Sequence, residues 1–106
     1  FKVLPSLPKC TRLICHDCTR VEAFPQLPKC EILSCYSCAE LKELPILSKC
    51  IQISCDDCPL LEALPQLPEC EDIISNMNLE RMPYMPKLRC VNNIDYDTKM
   101  YKKCIL

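Results

Sequence analysis

Twelve cysteines and one histidine are the side chains of this 106-residue chain that could do sulfur, metal or nucleophilic chemistry. Three pairs share the spacing Cys-x-x-Cys: Cys15 with Cys18, Cys35 with Cys38, and Cys55 with Cys58. The first two pairs stand 16 residues apart, which fits a four-cysteine zinc site on Cys15, Cys18, Cys35 and Cys38. Stacked thiolates also suit copper(I) or an iron–sulfur cluster. A second reading is disulfide chemistry, which this density of cysteine in a short chain often signals. A third makes the thiols small core hydrophobes and weak hydrogen-bond donors. Catalysis is not expected, because a cysteine nucleophile needs a base within reach. His16 adjoins Cys15, and neighbours along a strand point to opposite faces.

The elements that carry these residues follow from an internal repeat. Cys10, Cys30, Cys50, Cys70 and Cys90 recur every 20 residues. The segments Leu4-Pro5-Ser6-Leu7-Pro8, Phe24 to Pro28, Leu44 to Ser48, Leu64 to Pro68 and Met82 to Pro86 step by 20, 20, 20 and 18. The last repeat therefore loses two residues between Cys70 and Met82 and regains them before Cys90, on the cysteine alignment. Within each unit the residues around 12–16 alternate, Leu13 and Cys15 on one face and Arg12, Ile14 and His16 on the other, as in a short strand. One strand per unit, stacked at about 4.8 Å, predicts a parallel sheet. The two prolines of four of the five tails sit three residues apart, the period of polyproline II, and Ser48 takes the second place in the third tail. That conformation uses negative φ throughout, which makes the absence of glycine less surprising than in a hairpin protein. Almost no helix is expected.

The unit Cys-x-x-Leu-x-Cys-x-x-Cys-x-x-Leu-x-x-Leu-Pro-x-Leu-Pro-x resembles the leucine-rich repeat. Cysteine takes the first and third leucine places and the Asn/Cys place. The 20-residue length and Leu-Pro-x-Leu-Pro tail are similar to the shortest subtype, known from bacterial effectors. The wording Cys55-Asp56-Asp57-Cys58-Pro59-Leu60-Leu61 is similar to repeats of giant viruses of amoebae. The resemblance implies a right-handed solenoid of about five turns over residues 1–94, mostly β, with a polyproline-II-like convex side. Residues 95–106 would then be a C-terminal cap or docking segment. It also implies that partners are held on the concave face of the sheet: Arg12, Ile14, His16, Ile32, Ser34, Tyr36, Gln52, Ser54 and Asp56. Cys15-His16-Asp17 and Cys55-Asp56-Asp57 mimic the Cys-x-Asp of the ubiquitin-ligase domain that some such effectors carry, and they are accidents of the repeat.

The repeat also weighs the three cysteine readings. It forces the zinc-like spacing, and Cys55-x-x-Cys58 continues it with no fourth pair, so no cofactor is expected. The ladders Cys15/Cys35/Cys55 and Cys18/Cys38/Cys58 have three members each and cannot pair completely within themselves. Disulfides would need partners inside a turn, such as Cys15 with Cys18. Ser75 and Asn78 stand at the second and third cysteine places of the fourth unit. Asn shares with Cys the ability to bond backbone and not its metal or disulfide chemistry, which favours core ladders of Cys10, Cys30, Cys50 and Cys70, of Cys15, Cys35 and Cys55, and of Cys18, Cys38 and Cys58.

Charge excludes some partners. Thirteen basic and 14 acidic residues give a net −1 and alternate along the chain, so neither nucleic acid nor an anionic membrane is expected. The expected function is a non-catalytic protein-interaction module. The alternative is a subunit that stacks head to tail through uncapped ends, since an open edge is a template for another chain. Free thiols would fit the cytoplasm, and disulfides an extracellular or virion-associated protein. Cys104 is third from the end, one place off a prenylation signal, and reads as structural or as an intermolecular thiol.

Overall fold

The computed structural model describes residues 5–75, 83, 85–92 and 94–95, the last two by backbone alone. Among them there is no helix. Six short strands make one sheet in chain order: β1 (Arg12–Ile14), β2 (Ile32–Ser34), β3 (Gln52–Ser54), β4 (Asp72–Ile74), β5 (Cys90–Val91) and β6 (Ile94–Asp95). The first five run parallel, and β6 returns antiparallel to β5. The fold is a mostly β, parallel repeat. The three-residue strands have a simple cause. Leu13, Leu33, Ile53 and Ile73 are flanked by residues that face outward, and a proline-bearing turn follows within the same 20-residue step.

Register between β1 and β4 steps by 20 residues: Leu13 pairs with Leu33, Leu33 with Ile53, and Ile53 with Ile73. Between β4 and β5 the step is 18, with Asp72 opposite Cys90 and Ile73 opposite Val91. The two residues lost before Met82 are therefore not regained, and the recurrence of cysteine at position 90 is not structural. Leu88, fully buried, takes the place that Cys70 holds one turn earlier. The backbone turn shows the same substitution, since Leu88 N–H donates to Met85 O as Cys70 N–H does to Leu67 O. Packing of the proline tail sets the register, because that tail fills the core and Cys90 does not.

The core is a column of repeated side chains. Leu27, Leu47, Leu67 and Met85 line one part of it, Leu33, Ile53 and Ile73 the strand side, and Leu41 with Leu61 the return side. Each is closed from above and below by its equivalents, so the middle units are nearly dry. Leu7, Cys10 and Leu13 are only half-buried. They lie in the first described turn, where β1 pairs with β2 alone among the described strands.

Hydrogen bonding extends beyond the strands. Cys15 N–H donates to Ser34 O and Asp17 N–H to Tyr36 O, at 2.8 and 2.9 Å, and Cys35 and Ser37 repeat both bonds to the next turn. Asp17, Ser37 and Asp57 sit at φ of 55–57°, in the left-handed region. These residues lie at the corner after the strand and outside the proline tail, to which the expectation of negative φ applied. Asp tolerates this conformation better than most residues because its short polar side chain bonds locally. A fourth left-handed residue, Asn92 at φ 53°, turns the chain from β5 into β6. Its Oδ1 accepts the Ser75 N–H at 2.9 Å, the bond that Cys15, Cys35 and Cys55 give to a strand carbonyl of the next turn. The expected C-terminal segment 95–106 is described only at Asp95, so Tyr96, Tyr101 and Cys104 lie outside the described residues, as does Asn78.

Candidate interaction face and cysteine ladders

The cysteines divide by position into three classes with different partners. At the entry to each strand, Cys10, Cys30, Cys50 and Cys70 donate from Sγ to the carbonyl two residues on, at 3.1–3.3 Å. At the strand exit, Cys35 Sγ donates to Ser54 O of the next turn at 3.3 Å. In the third class, Cys38 Sγ donates to Cys15 O at 3.0 Å, and Cys58 Sγ to Cys35 O at 2.8 Å. Both acceptors belong to the preceding turn and both bonds are buried, so these thiols tie one turn to the next. A neutral donor at this place is what an Asn would also supply.

Burial keeps the inner sulfurs protonated. It pushes the Cys55 thiol up to about 11 and those of Cys50 and Cys70 up to about 12. Cys35 rises further for the same reason, with its cysteine neighbours adding to the shift, and Cys30 and Cys38 are raised as well. Desolvation disfavours the thiolate, and the thiolate is the form that attacks or ligates. Cys30, Cys35, Cys38, Cys50 and Cys70 are therefore held in the state that can donate.

The first turn departs from this pattern. Cys15 and Cys18 are joined as a disulfide, with Cα atoms 6.0 Å apart. Cys35, Cys38, Cys55 and Cys58 are thiols. The structure thus combines two of the readings open in the sequence, core thiols inside and a within-turn disulfide at the edge. It does not assemble the four-cysteine zinc set. Two of those sulfurs are bonded to each other and Cys38 is engaged with a carbonyl. Among the described residues no three His, Cys, Asp or Glu side chains are placed to hold a metal ion. Cys18 is also only half-buried, where Cys38 is sealed.

The outward face of the sheet gathers the residues expected to meet a partner. Arg12, Ile14, His16, Tyr36 and Gln52 are exposed, and Ile32, Ser34, Ser54 and Asp56 are half-exposed. His16 and Ser34 share a hydrogen bond of 2.7 Å between Nε2 and Oγ. The His16 ring meets Tyr36 edge-on, with centroids 6.0 Å apart. Ile14 leaves 59% of its surface to solvent and Tyr36 43%. Asp72 and Ile74 extend the same rows on β4. Neither was among the expected face residues, although the 20-residue step from Gln52 and Ser54 marks both. On the return side, Lys42 Nζ donates to Glu22 Oε1 at 3.2 Å, which places opposite charges at one repeat position. Such exposed pairs contribute at most about 1 kcal/mol.

Compared with known proteins, the chain matches no family model, no curated protein and no solved structure.

Proposed function

We propose that the chain is a leucine-rich-repeat solenoid of the short Leu-Pro-x-Leu-Pro kind, working as a non-catalytic protein-interaction module through the outer face of β1–β4. The observation that carries this reading is the exposure of Ile14 and Tyr36 on a polar, hydrogen-bonded face. Large apolar and aromatic groups beside partly satisfied polar ones are the composition of an interface core. The parallel sheet with one strand per repeat supports the fold half of the proposal. So do the thiols at the Asn/Cys place that bond the preceding turn. The disulfide at Cys15 and the protonated thiols behind it support a structural role for sulfur.

The head-to-tail alternative has one observation in its favour, the half-buried Leu7, Cys10 and Leu13 at the β1 edge. At the other end, the free side of β5 is taken by the antiparallel β6. A parallel strand from the next chain therefore has no edge of β5 to extend, and the face reading comes first. Comparing proteins captured by the native chain, by an Ile14→Asp/Tyr36→Ala variant and by an Ile46→Asp control tests it. Ile46 is 70% exposed and lies in a proline tail, away from the strands. Partners lost only with the face variant support the module; partners lost only with Ile46→Asp overturn it.

A further inference from the structure

We propose that the face binds a second copy of this chain, laid face to face about a two-fold axis that runs parallel to the strands between β2 and β3. The proposal rests on the reading of that face as a binding surface and names its occupant. It starts from the register, which lines up the outward residues in rows across the sheet. One row reads Arg12, Ile32, Gln52, Asp72, and the next reads Ile14, Ser34, Ser54, Ile74. The second row is the same read from either end. The first is basic at one end and acidic at the other. Beyond them, Tyr36 and Asp56 stand side by side at the strand exits of the two central turns.

A two-fold axis along the strands exchanges β1 with the partner's β4 and β2 with its β3, and it preserves strand direction. Arg12 then faces the partner's Asp72, and Ile14 the partner's Ile74. Ser34 faces the partner's Ser54, and Tyr36 presents its phenol O–H to the partner's Asp56 carboxylate. Ile32 covers the aliphatic stem of the partner's Gln52. Every contact occurs twice, as an isologous interface requires, and no like charges oppose each other. The other two-fold within the interface plane, along the stacking direction, reverses the strands and lays β1 on β1. It sets Arg12 against the partner's His16, and gathers the acids of both copies, Asp56 and Asp72, at one end. Charge complementarity selects the first axis.

Four strands about 4.8 Å apart and five residues about 3.3 Å apart give a footprint of roughly 300 Å². Stable interfaces bury about 800 Å² per partner, so this dimer is weak and depends on concentration. Sedimentation equilibrium of the native chain tests it, together with Arg12→Asp, Asp72→Arg and the double variant, each checked for unchanged circular dichroism. The native chain should move from monomer toward dimer as its concentration rises to the millimolar range. Each single swap should weaken the dimer about tenfold. The double variant should restore it, because the introduced carboxylate on β1 then faces the introduced guanidinium on the partner's β4. A native chain that stays monomeric at these concentrations overturns the self-pairing, and so does a double variant no better than the singles. If that monomer still holds another protein through Ile14 and Tyr36, only the choice of partner has failed. A dimer indifferent to the charge swaps, to Ile14→Asp and to Tyr36→Ala overturns both the pairing and the reading beneath it.

Discussion

The first turn and the two behind it carry the same Cys-x-x-Cys spacing and use it in opposite ways. In the second and third turns, Cys38 and Cys58 are buried thiols that donate to the Cys15 and Cys35 carbonyls of the turn in front. Cys18 belongs to the first described turn. Among the described residues no carbonyl of a preceding turn reaches it, and its sulfur is bonded to Cys15 instead. Stacking, and not the local motif, decides the sulfur chemistry. Where a preceding turn is described, it supplies an acceptor and excludes water; in the first described turn the pair is closed on itself.

The largest expected effect lies in the core that stacking creates. Ile53→Ala removes a fully buried side chain held between Leu33 and Ile73 and should cost about 2–5 kcal/mol. Leu13→Ala, at the half-buried edge position, should cost about 1 kcal/mol. Chemical denaturation of both variants checks the difference, and equal losses would erase the distinction between edge and middle.

Alkaline pH should act next, through the buried thiols of the inner turns. The buried thiols bind their protons more tightly folded than unfolded, so their contribution is complete below about pH 9 and is lost as pH rises through 11 to 12. A thiol that holds its proton about a hundredfold more tightly when folded contributes on the order of 3 kcal/mol. Unfolding midpoints followed from pH 8 to 12 should fall steeply, and less steeply in Cys55→Ala. A slope unchanged by that substitution would contradict the assignment of buried, protonated thiols.

A smaller effect separates the hydrogen bond from the bulk of the sulfur. Cys58→Ala leaves the buried Cys35 carbonyl without its donor and should cost about 1–3 kcal/mol. Cys58→Asn restores a donor and should recover most of that. Thermal denaturation of the two variants gives the answer, and equal large losses would show that the position needs sulfur itself.

The strand positions, the inward run Leu13, Leu33, Ile53 and Ile73, and the outward face as far as Asp56 were legible in the sequence, because a period of 20 fixes them all at once. The role of the third cysteine place was legible from Asn78, an amino acid that shares only hydrogen bonding with Cys. Other features were not. The 18-residue step into β5 was hidden by the coincidence of Cys90, since a residue type carries no mark of being buried. The left-handed corners at Asp17, Ser37 and Asp57 were obscured because glycine, the usual signal for positive φ, is absent. The disulfide at Cys15 and Cys18 could not be distinguished from the thiols at Cys35 and Cys38, because the three pairs read alike and only position in the stack separates them.

Mapping the thiols of the folded chain, purified without reductant, is the most direct test of that difference. Alkylation before and after unfolding, followed by peptide mass spectrometry, should find Cys15 and Cys18 linked to each other. Cys35, Cys38, Cys55 and Cys58 should be unreactive in the folded chain and fully alkylated once it is unfolded. A disulfide between Cys35 and Cys38 or between Cys55 and Cys58, or rapid alkylation of Cys38 and Cys58 in the folded chain, would contradict the account that stacking governs the sulfur.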